Sequence, residues 1–237
     1  MPQVDVCLSP ALLHLYDTRD KNVVIIDVFR ATSTIAAALH NGAVEIIPVA
    51  AVETAIRLGE TLPESITAGE RDGRIAPGLA HGNSPSEYPA EFIGGKTLIL
   101  TTTNGTKLLH MVQDAHTILT GAFLNISAVV EYLVQSNRDV VLGCAAWKDK
   151  FNLEDTLFAG EVARRLLQQG YETNDDSTRC AVQMATAVQG NYLEFLKDSS
   201  HYKRLSAYGL EADMAYCATP DLHPIVPVLR GQALVIA

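Results

Sequence analysis

A chain of 237 residues, 48% hydrophobic and 19% charged, has the length for one large α/β domain and the apolar content to bury a core, which excludes a disordered chain. Its 18 lysines and arginines face 27 acidic residues, a formal net charge of −9 with no basic run, so nucleic-acid binding through a basic face is disfavoured. Cys7, Cys144, Cys180 and Cys217 stand far apart with no C-x-x-C pair, which disfavours a zinc ribbon or disulfide scaffold and points to reduced thiols in a cytoplasmic protein. The N-terminal MPQVDVCLSP lacks the basic start and apolar stretch of an export signal. Runs such as Val23–Ile26 are far shorter than the ~20 residues that cross a bilayer, so no membrane association is expected.

In chain order, Val23–Val28 reads as a strand, followed by a helix over Thr34–His40 that stops at Asn41-Gly42. Val44–Val49 predicts a strand, Ala51–Gly59 a helix, and Ile66–Ala68 a strand that opens into a long Gly- and Pro-rich loop, Gly69–Tyr88. The pattern continues with strand Thr97–Thr102, helix Thr106–Gln113, strand His116–Leu119, helix Ile126–Ser136, strand Asp139–Gly143 and helix Asp155–Gln169. Most strands are apolar on both faces, as strands buried between two helical layers are. The expected architecture is a three-layer α/β/α sandwich around a mixed, largely parallel sheet, forming a single domain over residues 1–237. Residues 170–217 read as a mainly helical appendage, and Ile225–Leu229 with Ala233–Ile236 as a closing strand pair. No heptad or defined apolar interface stands out, so a homo-oligomer is possible without a sequence signal for it.

Four segments carry candidate chemistry. In VVIIDVFRATSTIAAAL, Asp27 falls at the carboxyl end of a strand, where open α/β sheets bind ligands, and Thr32, Ser33 and Thr34 start a helix. Free N–H groups there, with Arg30, can hold a phosphate or sulfonate, and Mg²⁺ would reconcile Asp27 with that anion. The plainer alternative has the three hydroxyls capping the helix while Asp27 and Arg30 pair with each other. The second junction, TLILTTTNGTKLL, offers Asn104, Gly105 and Thr106 in a tight turn that suits an anion or is simply structural. In the loop GERDGRIAPGLAHGNSPSEY, Glu70 and Asp72 supply hard oxygens, Arg71 and Arg74 anion donors, and Asn83-Ser84 a cap; the alternative is a solvated loop with internal salt bridges. In CAAWKDKFNLEDTLFAGEVARRLL, Glu154 and Asp155 complement a helix dipole, and Asp155 or Glu154 is a further candidate metal ligand at the sheet edge; Cys144 reads as a buried or pocket-lining residue rather than a nucleophile.

Several chemistries are disfavoured. No HExxH or H-x-x-x-H spacing suggests zinc hydrolysis, and neither G-x-G-x-x-G nor a Walker sequence is present. Phe29 replaces the second aspartate that a D-x-D-x-T phosphoaspartate motif requires.

Taken together, DVFRATSTI, GERDGRIAPGLAHGNSPSE, TTTNGT, NLEDTLFAGE and ADMAYCATPDLHPIVPV resemble the 2-phosphosulfolactate phosphatase family over essentially the whole chain. The resemblance implies a Mg²⁺-dependent phosphohydrolase acting on a small anionic phosphorylated substrate, converting 2-phospho-3-sulfolactate to 3-sulfolactate and phosphate on the way to coenzyme M. The expected site has Mg²⁺ on Asp27, Glu70 and Asp155, and phosphoryl oxygens on Arg30 and the Thr32–Ser33 amides, with Arg71 as a further donor. Asn83, Ser84 and the Asn104–Thr106 turn would take the other anionic end, and Glu70 is the candidate for proton transfer, with Asp27 as direct nucleophile left open. A non-catalytic sensor for a phosphorylated acid would need the anion sites but no metal, and a purely structural subunit would need neither.

Overall fold

The computed structural model describes residues 1–102, 108–109 and 111–237. Among them the strands are β1 (Val4–Cys7), β2 (Asn22–Ile26), β3 (Glu45–Val49), β4 (Ser65–Arg71), β5 (Arg74–Ile75), β6 (Thr97–Thr101), β7 (Thr117–Gly121), β8 (Val140–Cys144), β9 (Pro227–Arg230) and β10 (Ala233–Ile236). They form one mixed sheet in the order β1-β8-β2-β7-β9-β10-β3-β6-β4-β5. The neighbours β1, β8, β2 and β7 are parallel to one another, as are β3, β6 and β4. Between these sets lies the antiparallel hairpin β9–β10, which pairs β7 on one side and β3 on the other. Three antiparallel steps separate the sets, so they run in opposite senses. The last strands of the chain therefore join its two halves.

The continuous apolarity of the inner strands follows from this burial. In β2, Val24 and Ile26 enter a core with Val4, Leu119, Leu142 and Phe158, while Val23 and Ile25 point the other way, toward Leu13, Leu108 and Val112. The period-2 alternation that would mark a one-sided sheet is thus absent because both faces are covered. The second half is built likewise, with α1 (Ala31–His40) packing Ile35 and Leu39 against Ile46, Leu98 and Leu100 on one face. On the other face α2 (Val52–Thr61) packs Ala55 against Val49 and Ile99. Helix α1 is apolar nearly all round and buried accordingly, and its run Ala36-Ala37-Ala38 lets it sit close to its neighbours.

A short α3 (Ala90–Ile93), α4 (Ile126–Ser136) and α5 (Leu153–Gln168) complete the layers. The expected appendage is present as α6 (Asp176–Val188), α7 (Tyr192–Leu196), α8 (Ser200–Ser206) and α9 (Glu211–Cys217), and it shares the large core through Ala181, Leu196, Leu205 and Met214. The sandwich, the mixed sheet, the helical appendage and the closing strand pair agree with the sequence reading. Strands β1 and β5 were not foreseen: the first is four residues long, and the second is two residues inside the segment read as loop. Of the predicted helix Thr106–Gln113, residues 106, 107 and 110 lie outside the described residues, and Leu108, Leu109 and Met111 are helical. Among the described residues no helix is long and apolar enough to cross a membrane.

The appendage docks through a close helix crossing. An ideal Cβ on Gly160 of α5 would lie 2.1 Å from the Ala181 carbonyl oxygen of α6, so backbone meets backbone there. On helix propensity alone Gly160→Ala stabilises by about 1 kcal/mol. Overpacking against backbone costs about 1–3 kcal/mol or more, and we expect it to win, lowering the urea midpoint with an unchanged m-value. A raised midpoint would mean that α5 and α6 do not pack as described.

Candidate active site

Asp27 leaves the carboxyl end of β2, and the turn after it is tied down from within. The Asp27 amide donates to Thr32 Oγ1 (3.2 Å), the Thr32 amide to the Asp27 carbonyl (2.9 Å), and Ser33 Oγ to the Val28 carbonyl (2.9 Å). The Phe29–Arg30 peptide in this turn is cis. The Ala31 amide, the first of α1, favours the charged form of the Asp27 carboxyl. The Thr32 and Ser33 hydroxyls, both buried, are engaged by the backbone of the turn. The local alternative, in which Thr32 to Thr34 cap the helix, is not met, since the start of α1 has no side-chain cap hydrogen bond, and the Thr32 amide, one of the two expected to hold phosphoryl oxygens, donates to the Asp27 carbonyl. The other half of that alternative fails too, because Arg30 pairs not with Asp27 but with Asp213 of α9, 183 residues away.

Glu70 reaches the same place by hairpin chemistry. Asp72 (φ +53°) and Gly73 (φ +82°) form the two-residue turn between β4 and β5, the left-handed pair that Asp-Gly favours. The Gly73 amide then donates to Glu70 Oε2 at 2.9 Å. Because side chains alternate along a strand, Arg71 points to the opposite side. Its guanidinium donates to the carbonyls of Glu70 (2.7 Å) and Ala50 (3.3 Å) and to Thr101 Oγ1 (3.0 Å). Arg71 is therefore outside the pocket, against expectation, and Asp72 is exposed, paired to Lys148 at 3.5 Å.

Asp27 and Glu70 open into one narrow cleft lined also by Phe29, Arg30, Asn83, Trp147, His201 and Arg204. Asn83 is buried, and its Oδ1 has no hydrogen-bond partner among the described residues. Ser84 stands behind Arg30, donating to Asp213 Oδ1 at 2.7 Å, so it braces the Arg30–Asp213 pair and does not line the cleft beside Asp27. Arg30 also donates to the Gly73 carbonyl at 3.3 Å, linking α1 to the hairpin turn. The expected residues Asn104, Gly105 and Thr106 lie outside the described residues.

The far wall comes from the appendage. Arg204 of α8 stacks its guanidinium 4.1 Å over the Trp147 ring, while its Nη2 is buried with no partner among the described residues. His201, one turn earlier, sets its Nδ1 2.6 Å from Oε1 of the fully buried Glu154. No motif announced His201, Arg204 or Trp147. Glu154 had a visible but ambiguous signal as an acid in a helix first turn, and Asp213 lies in the ADMAYC segment.

Electrostatics sets what this cleft can bind. Burial, and then the charge of Glu70, push the Asp27 carboxyl up to about 7, with Glu154 adding and His201 opposing. Asp155 is raised well above the ordinary carboxylate range by burial and by Glu154 and Asp27. Its two oxygens accept the amides of Val28 (2.9 Å) and Ala146 (3.2 Å), which clamp the ends of β2 and β8 together. Among the described residues no three His, Cys, Asp or Glu side chains gather closely enough to hold a metal alone, so Asp155 does not complete a preformed triad with Asp27 and Glu70. Mg²⁺ needs no such cage, because it keeps several waters and takes one or two carboxylates plus substrate phosphate. Two carboxylates that repel each other in one buried cleft, beside an unsatisfied amide oxygen and with no thiolate, fit a hard cation. Cys144 is fully buried in the core with its thiol pushed far up by desolvation, as the sequence reading of an unreactive residue expected.

A family model described as 2-phosphosulpholactate phosphatase matches residues 7–232. A probable 2-phosphosulfolactate phosphatase of Thermotoga petrophila is 42% identical over 235 residues, covering 98% of each chain. Proteins of the same description from Caldanaerobacter subterraneus and Clostridium acetobutylicum are 40% identical over 217 residues and 34% identical over 226 residues. They cover 91% and 95% of this chain and 90% and 96% of the relatives. With its carboxylate pair and arginines gathered at the strand ends, the chain belongs to the 2-phosphosulfolactate phosphatase family of phosphoric monoester hydrolases.

Proposed function

We propose that this protein is a cytoplasmic, Mg²⁺-dependent phosphatase that hydrolyses 2-phospho-3-sulfolactate, or a closely related phosphorylated 2-hydroxy acid, to the free hydroxy acid and inorganic phosphate. In organisms that make coenzyme M this would be a step towards it. The observation that carries the reading is the pairing of Asp27 and Glu70 in one cleft opposite two arginines, one of which has a buried N–H group without a partner. That arrangement suits a phosphoryl group bridging a cation and guanidinium donors.

In this reading Asp27 and Glu70 would hold Mg²⁺, with Asn83 Oδ1 within the same cleft, while Asp155, on the Val28 amide, keeps Asp27 in place. When bound, the ion supplies charge neutralisation and polarisation of the phosphoryl oxygens. Arg204 donates to a phosphoryl or sulfonate oxygen, its plane set beforehand by Trp147. Arg30, oriented by Asp213, adds a second donor at the turn of the hairpin. These local donors have to attract a multiply charged anion against a net charge of −9, which long-range steering opposes.

The direct test is phosphate release from 2-phospho-3-sulfolactate, phospholactate, phosphoglycolate and an aryl phosphate, with Mg²⁺ and then with EDTA. We expect turnover only with metal and preference for the sulfonate; turnover confined to the other esters would place the physiological substrate elsewhere, and binding without any release would favour a sensor. Arg204→Gln should raise KM for the sulfonate substrate about 10- to 100-fold, the weight of a charge-assisted hydrogen bond of roughly 1.5–3 kcal/mol. The same variant should leave Tm unchanged or raised, because it removes a partly buried guanidinium whose Nη2 is unpaired. An unchanged KM would take Arg204 out of the anion site.

A further inference from the structure

We propose that His201, oriented by Glu154, is the general acid that protonates the leaving alkoxide; this rests on the phosphatase reading of the cleft. The leaving group from a 2-hydroxy acid ester is an alkoxide, a poor leaving group unless its oxygen receives a proton as the P–O bond breaks. Glu70 was the sequence-based candidate, but its Oε2 accepts the Gly73 amide, and it shares the cleft with Asp27 as an acceptor. His201 is the imidazole on the cleft wall.

Its orientation is fixed from behind. Nδ1 lies 2.6 Å from Glu154 Oε1, and Glu154 is fully buried and does not line the cleft. Nδ1–H therefore donates to the carboxylate, which leaves Nε2 as the nitrogen on the cleft side. The ring is held edge-on by Phe29 (centroids 6.0 Å, 70°), with Trp147 at 6.2 Å. A carboxylate behind an imidazole fixes the tautomer and stabilises the imidazolium, the form that can give up the Nε2 proton. A tie that only anchored the appendage would not require a buried carboxylate whose second oxygen, Glu154 Oε2, has no partner among the described residues.

The step balances as follows. Water oxygen forms a bond to phosphorus, the ester P–O bond breaks with its electron pair going to the leaving oxygen, and that oxygen takes the proton from His201 Nε2 to become the product hydroxyl. The proton lost by the attacking water restores the imidazolium, directly or through solvent. Glu154 never leaves its carboxylate form in this cycle and is a positioning residue.

Leaving-group dependence separates this role from a structural one. In Mg²⁺ buffer, wild-type kcat on phospholactate, an alkyl ester, should lie within about 10-fold of that on 4-nitrophenyl phosphate, whose phenolate needs little protonation. His201→Gln should lower kcat about 10²- to 10⁴-fold for the alkyl ester and less than about 10-fold for the aryl ester. Glu154→Gln should show the same selectivity at roughly 10- to 100-fold. Equal losses on both esters, or a wild-type enzyme already strongly dependent on the leaving group, would overturn the acid role while leaving the phosphatase intact. A wild type inactive on every ester would remove the phosphatase reading and the acid role together.

Discussion

The site depends on two carboxylates that do not belong together. Asp27 and Glu70 are brought to one buried cleft, where burial and mutual repulsion push Asp27 far from its ordinary titration range. Like charges confined in this way destabilise a fold unless something is gained by it. Around them stand devices that keep them in place: the Thr32 amide and hydroxyl on the backbone of Asp27, the Gly73 amide on Glu70, and Asp155 clamping Val28 and Ala146. Such stored repulsion is what a divalent cation relieves, and it is consistent with the phosphatase reading of the cleft.

The topology explains why the cleft draws on residues 27 to 205. Two parallel sets of strands run in opposite senses and are joined by the C-terminal hairpin, with α1 leading from the first set to the second. The sheet supplies the carboxylates at its strand ends and the appendage supplies His201 and Arg204. Arg74 stacks 4.5 Å over Tyr208, and Arg30 reaches Asp213, so the hairpin turn and α1 are both bonded to the appendage. The proposed proton donor His201 and the proposed anion donor Arg204 therefore lie on a different layer from Asp27 and Glu70, the proposed metal ligands, while Arg30 stands beside Asp27 at the start of α1. A change in how the appendage docks would alter substrate contacts without disturbing Asp27 or Glu70.

Much of the fold was legible because burial on both faces leaves unmistakable apolar runs: helix Ile126–Ser136 is found with the bounds read from its spacing, and the eight foreseen strands are all present. In the site, Asp27, Arg30, Glu70 and Asn83 were legible as polar residues at strand ends and in a turn-rich loop. Arg71 was misplaced because adjacent residues of a strand face opposite ways, and the loop reading hid the strand that makes this so. At the start of α1 the sequence offers free amides and hydroxyls alike, and it does not show that the turn after Asp27 takes up the Thr32 amide and both the Thr32 and Ser33 hydroxyls. His201 and Arg204 lie on a short helix with no local motif, and only the packing of the appendage brings them to Asp27.

If the Asp27–Glu70 pair is a cation site held under repulsion, thermal unfolding of the metal-free protein at pH 8 will show it. Asp27→Asn removes one of the two charges and little volume. We expect its metal-free Tm to exceed that of the wild type, and Mg²⁺, which should raise the wild-type Tm, to leave the variant unmoved. A lower Tm in the metal-free variant, or an undiminished Mg²⁺ shift, would contradict the account.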